Sequence, residues 1–324
     1  MPKPAKVVFC GTPRFAVPTL EALIAAGHEI PLVVTQPDRP VGRSQQLVTP
    51  PVKQTALAAG LAVTQPEKIR NNAEFRAQLE AIAPDAIVVV AYGRIIPPWM
   101  LALPRLGCIN LHASLLPKYR GAAPIQWAVA MGETFTGNTT MLLEEGLDTG
   151  PILLQQAFAI GPGMTSADLF EELATGGAPM MVDTLAGLAD GTIEPRPQDH
   201  SRASLAPLLD REDGRMDFAA RTATELKNRW RGFQPWPGAY AVLDRKKLIV
   251  HRMDVADASL SAALAGAVPG QIVVENQRLF AACAGNTWLE FVEVQLEGKK
   301  RLAVVEFLRG MQFAAGAHFD ERSS

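Results

Sequence analysis

Residues 108–121 have the sequence CINLHASLLPKYRG, in which a short apolar run ends in polar side chains. The run at 108–112 is predicted to be a β-strand, and a strand directs alternate residues to the same face. Asn110 and His112 would therefore project together from one face. Polar groups at the end of an apolar strand are typical of the carboxyl edge of a parallel sheet, where ligands bind. The stretch predicts an α/β fold and the place of its site.

Short apolar runs alternate with helical patterns along the first half of the chain. The runs lie at 6–10, 31–35 and 86–90, and the segment at 14–26 has apolar residues at helical spacing. This repetition predicts a Rossmann-like parallel sheet with helices on both faces. Two further helices are expected at about 166–174 and 178–188. Residues 11–16, GTPRFA, lack the second and third glycines of the dinucleotide fingerprint, which argues against a nicotinamide or flavin enzyme.

The second half of the chain has a different pattern. Residues 191–207 contain three prolines and no periodicity, which is typical of a linker. Five short alternating segments follow between 239 and 295, and they predict a small OB-like β-barrel with a final helix near 302–309. We therefore expect a first domain at 1–189, a linker at 190–207, an OB-like domain at 208–314 and a tail at 315–324.

Composition narrows the class of protein. The 324 residues are more than one core usually holds, and the net charge of −2 gives no general attraction to nucleic acid or to anionic membranes. The 3 cysteines are odd in number and have no zinc-ligand spacing, so buried reduced thiols are expected, as in a cytoplasmic protein without a metal site. No apolar run approaches the roughly 18 residues of a membrane span.

Asn110, His112 and Asp148 are the candidate catalytic residues. An amide can donate hydrogen bonds to an oxygen that gains negative charge, an imidazole can take and return a proton, and a carboxylate can orient the imidazole. Gly146 and Gly150 flank Asp148 and would let its loop fold back tightly. These residues alone indicate acyl transfer to an amine or to water. A zinc hydrolase lacks a second ligand at the right spacing, and a serine hydrolase lacks the Gly-x-Ser-x-Gly elbow.

The central motifs resemble those of the folate-dependent formyltransferases. The resemblance lies in residues 110–112 (NLH), 114–117 (SLLP), 120–125 (RGAAPI) and 146–150 (GLDTG), and it extends to 9–13, 35–42, 90–93, 233–240 and 298–301. It covers nearly the whole chain. It implies transfer of a formyl group from 10-formyltetrahydrofolate to the α-amine of methionine on initiator tRNA, with Asn110, His112 and Asp148 as the catalytic set. The carboxyl-terminal barrel is the part that points to tRNA.

The resemblance also implies two binding sites. The folate site would be lined by Ser114, Leu115, Leu116 and Pro117, with Tyr92 and Gly93 nearby. The tRNA would contact a loop at 38–47 through Arg43, and basic residues of the barrel, namely Lys227, Arg229, Lys246, Lys299 and Lys300. Family members often have lysines where this chain has Ser44-Gln45-Gln46 and, in the linker, Leu208 or its neighbours. A monomer is expected.

Four functions are weighed. The first is formylation of initiator tRNA, and the second is formylation of a small amine such as an amino-sugar nucleotide. The third is hydrolysis of formyltetrahydrofolate, and the fourth is an RNA-binding barrel protein that has lost catalysis. The intact residues Asn110, His112 and Asp148 argue against the fourth function. The appended barrel argues against the second, and the lack of a regulatory or dehydrogenase module argues against the third.

Overall fold

The structure is a computed structural model that describes residues 4–41, 46–256 and 266–320. The chain divides into two compact units. Unit 1 contains the described residues up to Pro124 together with Phe135–Ala159 and Asp168–Pro207. Unit 2 contains Ile125–Thr134, Ile160–Ala167 and the described residues from Leu208 onward. Arg43, the loop residue expected to contact tRNA, lies outside the described residues.

The elements up to residue 190 follow the predicted alternation of strands and helices. In chain order they are β1 (Lys6–Gly11), α1 (Val17–Ala25), β2 (Glu29–Val34), β3 (Arg39–Val41), β4 (Gln46–Val48), α2 (Pro51–Ala58), β5 (Val63–Thr64), α3 (Ala73–Ile82), β6 (Ala86–Val90), α4 (Pro98–Leu101), β7 (Cys108–His112), α5 (Pro124–Ala130), β8 (Phe135–Leu142), β9 (Ile152–Ala159) and α6 (Ser166–Asp190).

The strands of unit 1 form a seven-stranded sheet in the order β5-β2-β1-β6-β7-β8-β9. The strands from β5 to β7 are parallel, which confirms the Rossmann-like sheet. The last two, β8 and β9, run antiparallel to their neighbours. Residues 143–151 between them are too few for a parallel crossover, which takes about a dozen residues or more. Strand β6 is buried throughout, as expected for a strand covered on both faces.

Helix α6 replaces the two helices expected at 166–174 and 178–188. It runs unbroken for 25 residues although Pro179 lies inside it. Gly176 and Gly177 suggest a break in the sequence, but here they allow a close approach. A Cβ atom on Gly177 would lie 2.5 Å from Cδ2 of Leu111 on β7, and one on Gly176 would lie 2.3 Å from the Phe158 ring. The glycines therefore reflect packing of the helix on the sheet.

Unit 2 is built around an antiparallel sheet. Its elements are α7 (Ala223–Gly232), β10 (Tyr240–Leu243), β11 (Lys246–Val255), β12 (Ile272–Glu275), β13 (Arg278–Cys283), β14 (Thr287–Leu296), β15 (Arg301–Ala303) and α8 (Val304–Arg309). The described strands are ordered β10-β11-β14-β13-β12, and β15 pairs with β14. This antiparallel half-barrel confirms the OB-like expectation. Its core includes Phe218, Phe291 and Phe319, whose rings pack against one another.

The segment expected to be a linker, 190–207, is hydrogen-bonded along unit 1. Arg196 and Ile152 exchange two backbone hydrogen bonds of 2.8 Å. Farther along, the amide of Arg120 donates to the Ser204 carbonyl at 2.8 Å, and the amide of Ala206 donates to the Arg120 carbonyl at 2.7 Å. Prolines suppress periodicity in this segment without preventing extended backbone from bonding to a neighbour. Residues 190–207 therefore form part of unit 1.

Candidate active site

Strand β7 carries Asn110 and His112 on one face, as the alternation predicted. It pairs with β6 on one side and β8 on the other, so both residues lie on an interior strand of the sheet, near its carboxyl edge. Asn110 is half-buried. Its amide makes no hydrogen bond to any other residue that the structure describes, which leaves its donors available to a ligand.

His112 is fixed by its neighbours in one tautomer. Its side chain is 6% exposed, and Nε2 lies 2.9 Å from the carbonyl oxygen of Tyr119. A carbonyl oxygen can only accept, so Nε2 carries the hydrogen. In the neutral ring Nδ1 is then the basic nitrogen, and it lies 3.7 Å from Oδ2 of Asp148. Nδ1 is therefore the atom of His112 that can take up a proton.

Asp148 reaches the histidine from the loop between β8 and β9. Its Oδ2 atom accepts a 2.8 Å hydrogen bond from the amide of Gly121, and its side chain is 14% exposed. The loop is folded tightly, since a Cβ atom on Gly150 would lie 1.9 Å from the Leu142 carbonyl oxygen. A Cβ on Gly146 would lie 2.3 Å from Oγ1 of Thr149. These close approaches explain why glycines flank Asp148.

The stretch expected to line the folate site, residues 114–117, packs on β8 and β9. Ser114 is buried and its hydroxyl donates to the Lys118 carbonyl at 2.6 Å. Leu116 is also buried, in a cluster with Met141 and Ile152. Leu115 and Pro117 are half-buried. Ser114 and Leu116 therefore shape this stretch from the interior, whereas Leu115 and Pro117 reach its surface.

Tyr92 and Gly93 differ in the same way. The Tyr92 ring lies in the core of unit 1 with only 2% exposure, and burial raises the pKa of its hydroxyl. Its carbonyl oxygen accepts hydrogen bonds of 3.1 Å from the Thr12 hydroxyl and from the Gln36 amide. Gly93 is exposed, with a φ of 80° that favours glycine. Tyr92 anchors this turn, and Gly93 is the part of it that a ligand can reach.

Three of the basic residues expected to contact tRNA lie at one end of the sheet of unit 2. Lys246 follows the β10–β11 turn, and Lys299 and Lys300 lie in the β14–β15 turn. The two turns are adjacent, because the amide of Glu297 donates to the Lys247 carbonyl at 2.8 Å. All three lysines are exposed, and none of their ammonium groups forms an ion pair with a residue in the described ranges. They form a basic cluster, hereafter the turn cluster.

Lys227 and Arg229 on α7 are engaged within unit 2. Lys227 forms a 2.8 Å ion pair with Asp254. Arg229 is only 13% exposed, donates to the Asp213 carbonyl at 3.0 Å and lies 4.7 Å from the centroid of the Phe233 ring. Sequence spacing gives no sign of this burial. Lys227 pairs with Asp254 near the end of β11, whereas the turn cluster lies where β11 begins. Burial of the Arg229 side chain limits its access to a phosphate.

Several residues of the site carried no distinguishing signal in the sequence. Gln198, in the proline-rich segment, is buried and donates from Nε2 to the carbonyls of Asp148 and Gly150 at 2.8 and 2.7 Å. Tyr119 supplies the carbonyl that fixes the His112 tautomer, with a φ of 62°. Gly121 lay inside a motif, but its role as donor to Asp148 depends on the fold. Burial is what distinguishes Gln198 from other glutamines, and the sequence does not reveal it.

A cavity of about 270 Å³ lies in unit 2 beside Met216, Phe218 and Phe319, and no predicted site residue lines it. The described residues contain no group of three or more His, Cys, Asp or Glu placed to hold a metal ion. None of the described helices combines the length and apolar character needed to cross a membrane.

The chain is similar to known formyltransferases. Residues 5–185 match the formyl transferase family and residues 208–312 match the formyl transferase C-terminal domain. A methionyl-tRNA formyltransferase of Acidobacterium capsulatum is 66% identical over 95% of this chain and 97% of the relative, and one of Koribacter versatilis is 56% identical over 94% and 95%.

A solved structure shares the fold at low identity. It is an N-formyltransferase from Helicobacter canadensis in complex with folinic acid and dTDP-3-aminofucose, with a TM-score of 0.65 and 17% identity. The match covers 89% of this chain and 98% of that one. Both family models and the near full-length relatives support one assignment. The chain belongs to the formyl transferase family, among the methionyl-tRNA formyltransferases.

Proposed function

We propose that this enzyme transfers the formyl group of 10-formyltetrahydrofolate to the α-amine of methionine esterified to initiator tRNA. The product is N-formylmethionyl-tRNA, which is used to start translation. The observation that carries the proposal is the 3.7 Å distance between Nδ1 of His112 and Oδ2 of Asp148, beside Asn110 on the same strand face as His112. The family membership identifies the reaction, and this pair supplies an acid–base group for it.

The roles of the three residues follow from their chemistry. The amine must lose a proton as it becomes an amide, and the folate nitrogen that releases the formyl group must gain one. Nδ1 of His112 is proposed to take the proton from the amine and to return it to the leaving nitrogen. Asp148 then lies beside a positively charged ring, which its carboxylate stabilises. The free amide of Asn110 donates to the formyl oxygen as that oxygen gains negative charge. Loss of one such donor typically costs about 2.7–4 kcal/mol of transition-state stabilisation.

The folate is proposed to bind beside these residues. It supplies the formyl group when it is bound, and the unpartnered Asn110 amide, half-buried at the strand end, suits a carbonyl oxygen. Leu115, Pro117 and Gly93 are the positions that would touch it directly. The buried residues would not touch the folate. Ser114 and Leu116 would fix the backbone of residues 114–117, and Tyr92 would fix the backbone beside Gly93.

The tRNA is proposed to bind through local basic groups. The turn cluster of Lys246, Lys299 and Lys300 is the strongest candidate, because its ammonium groups are exposed and have no described carboxylate partner. Arg43 is proposed to contact the acceptor end, whereas Lys227 and Arg229 would contribute less because other groups of unit 2 already hold them. Because phosphate contacts are few, the salt dependence of binding should be shallow. The enzyme is proposed to act as a monomer in the cytoplasm.

The test uses 10-formyltetrahydrofolate with a labelled formyl group. Initiator methionyl-tRNA, elongator methionyl-tRNA, free methionine and an amino-sugar nucleotide are offered in parallel. The proposal expects label on initiator tRNA at a rate well above that on the other three acceptors. Preferential labelling of the amino sugar, or release of free formate without any labelled amine, would replace it with one of the alternative functions.

A further inference from the structure

A hydrogen-bonded network in unit 1 contacts the loop that carries Asp148. It consists of the buried side chains of Arg120 and Gln198, the exposed His200 and the backbone of the Asp148 loop. Arg120 and Gln198 are 7% and 6% exposed. Neither has a role in the proposed chemistry, and burying an arginine and a glutamine is costly unless their polar atoms are bonded. The polar atoms of both side chains therefore need hydrogen-bond partners, and those partners show what the network holds in place.

The orientation of the Gln198 amide is determined by its partners. Its Oε1 atom lies 3.1 Å from Nε and 2.6 Å from the terminal nitrogen Nη2 of Arg120. A guanidinium can only donate, so the oxygen of the amide faces Arg120 and the nitrogen faces the loop. Nη2 of Arg120 also donates to Nδ1 of His200 at 3.0 Å. The glutamine therefore has one orientation that satisfies all its bonds.

The nitrogen of Gln198 holds the loop at two points. Nε2 donates to the carbonyl of Asp148 at 2.8 Å and to that of Gly150 at 2.7 Å. Asp148 needs such support, since its backbone φ of 52° lies in a region that residues other than glycine seldom adopt. Its carboxylate is held separately by the amide of Gly121. Backbone and side chain of Asp148 are thus each fixed by a different donor.

We propose that Gln198, whose orientation is fixed by Arg120, is a positioning residue that keeps Asp148 at the observed distance from Nδ1 of His112. The 3.7 Å separation of the pair would change with any movement of the loop. Misplacing a reacting group by about 1 Å can lower a rate by about 100-fold. The inference rests on the proposed function, because its readout is formyl transfer. It assigns a role in that reaction to the segment whose prolines and lack of periodicity predict a linker.

The experiment compares five enzymes with the wild type. They are Gln198→Leu, Gln198→Glu, Asp148→Asn, the double variant Asp148→Asn/Gln198→Leu, and Gln78→Leu as a control at an exposed glutamine on α3. Gln198→Glu keeps the size and the acceptor for Arg120 but cannot donate to the two carbonyls. It therefore tests the same bonds if Gln198→Leu fails to fold. The kcat and the KM for each substrate are measured.

The inference predicts a loss in kcat without a loss in binding. Both Gln198 variants should have a kcat about 10- to 100-fold lower, with each KM within about twofold of the wild type, while Gln78→Leu is unchanged. If Gln198 acts through Asp148, the double variant should be no slower than Asp148→Asn within about twofold.

Three results would overturn it. The first is a Gln198→Glu or Gln198→Leu enzyme with wild-type kcat beside an impaired Asp148→Asn. The second is a double variant whose loss is the product of the two single losses, which would mean that Gln198 acts independently. The third is an Asp148→Asn enzyme with full activity. Absence of formyl transfer by the wild type would instead refute the proposed function.

Discussion

Nδ1 of His112 lies 3.7 Å from Oδ2 of Asp148, although the two residues are held by different parts of unit 1. The histidine is on a central strand, and the aspartate is on a loop. This distance exceeds that of a hydrogen bond, which is expected when the facing nitrogen of a neutral ring carries no hydrogen. Protonation of Nδ1 would turn the same pair into an ion pair. The arrangement suits a ring that gains and returns a proton during each turnover.

The tight loop leads to a prediction for Gly150→Ala. A Cβ atom there would lie 1.9 Å from the Leu142 carbonyl oxygen, and a backbone atom cannot move away without shifting the strand or the loop. We expect the substitution to lower the free energy of unfolding by about 1–3 kcal/mol and to reduce kcat by moving Asp148.

Chemical denaturation and steady-state kinetics check this. Gly163→Ala is the matched control, because nothing lies within 4 Å of a Cβ atom built at Gly163. Equal stability and activity of the two variants would show that the loop tolerates a larger residue.

The turn cluster leads to a prediction about salt. Replacement of Lys246, Lys299 and Lys300 by alanine should weaken tRNA binding and reduce the slope of log K against log salt by about one for each phosphate that is no longer neutralised. The kcat at saturating tRNA should not change, because these residues are not part of the proposed catalytic set.

Binding is measured at several salt concentrations. Lys227→Ala is the control, because Lys227 is already paired with Asp254, and its effect on the slope should be smaller. A larger effect for Lys227→Ala than for the triple variant would place the tRNA on α7.

His28 predicts how the stability of unit 1 changes with pH. Burial lowers the pKa of His28 from its ordinary value of 6.5, and its Nδ1 atom accepts a 3.1 Å hydrogen bond from the amide of Ala5. The unfolded chain therefore binds a proton at a higher pH than the folded chain does. The free energy of unfolding of unit 1 should not depend on His28 well above about pH 6.5, and it should decrease as the pH falls below that value.

Hydrogen exchange of the β1 amides, corrected for intrinsic rates, reports the opening free energy of this sheet. His28→Gln retains an acceptor for the Ala5 amide and should have a shallower decrease in that energy between pH 7 and pH 5. His318→Gln, at an exposed position, should behave as the wild type. An unchanged pH dependence in His28→Gln would assign the loss of stability to other groups.

Local pattern was sufficient for the parts of the fold that depend on local chemistry. The alternation in Cys108–His112 predicted that Asn110 and His112 share a face, because side-chain direction in a strand depends only on position. The glycines around Asp148 predicted a tight loop for the same kind of reason. The long helix α6 was predicted as two helices, because a glycine pair and a proline resemble a break when the sheet beneath them is not visible.

Features that depend on distant contacts were not predictable. The burial of Arg229 is set by Asp213 and by the Phe233 ring, and its sequence neighbours resemble an ordinary solvated helix face. Gln198 meets Asp148 across 50 positions of sequence, and nothing in its proline-rich segment indicates that encounter. The candidate catalytic residues could be named from motifs, whereas the atoms that hold them in place required the fold.

The most direct measurement is formylation of initiator methionyl-tRNA by His112→Ala under single-turnover conditions, with tRNA affinity determined on the same protein. The proposed mechanism predicts a rate at least about 100-fold below that of the wild type, with affinity within about twofold. The exposed His318→Ala should retain both. A His112→Ala enzyme that keeps the wild-type rate, or that loses rate and affinity equally, would contradict the assignment of His112 as the acid–base group.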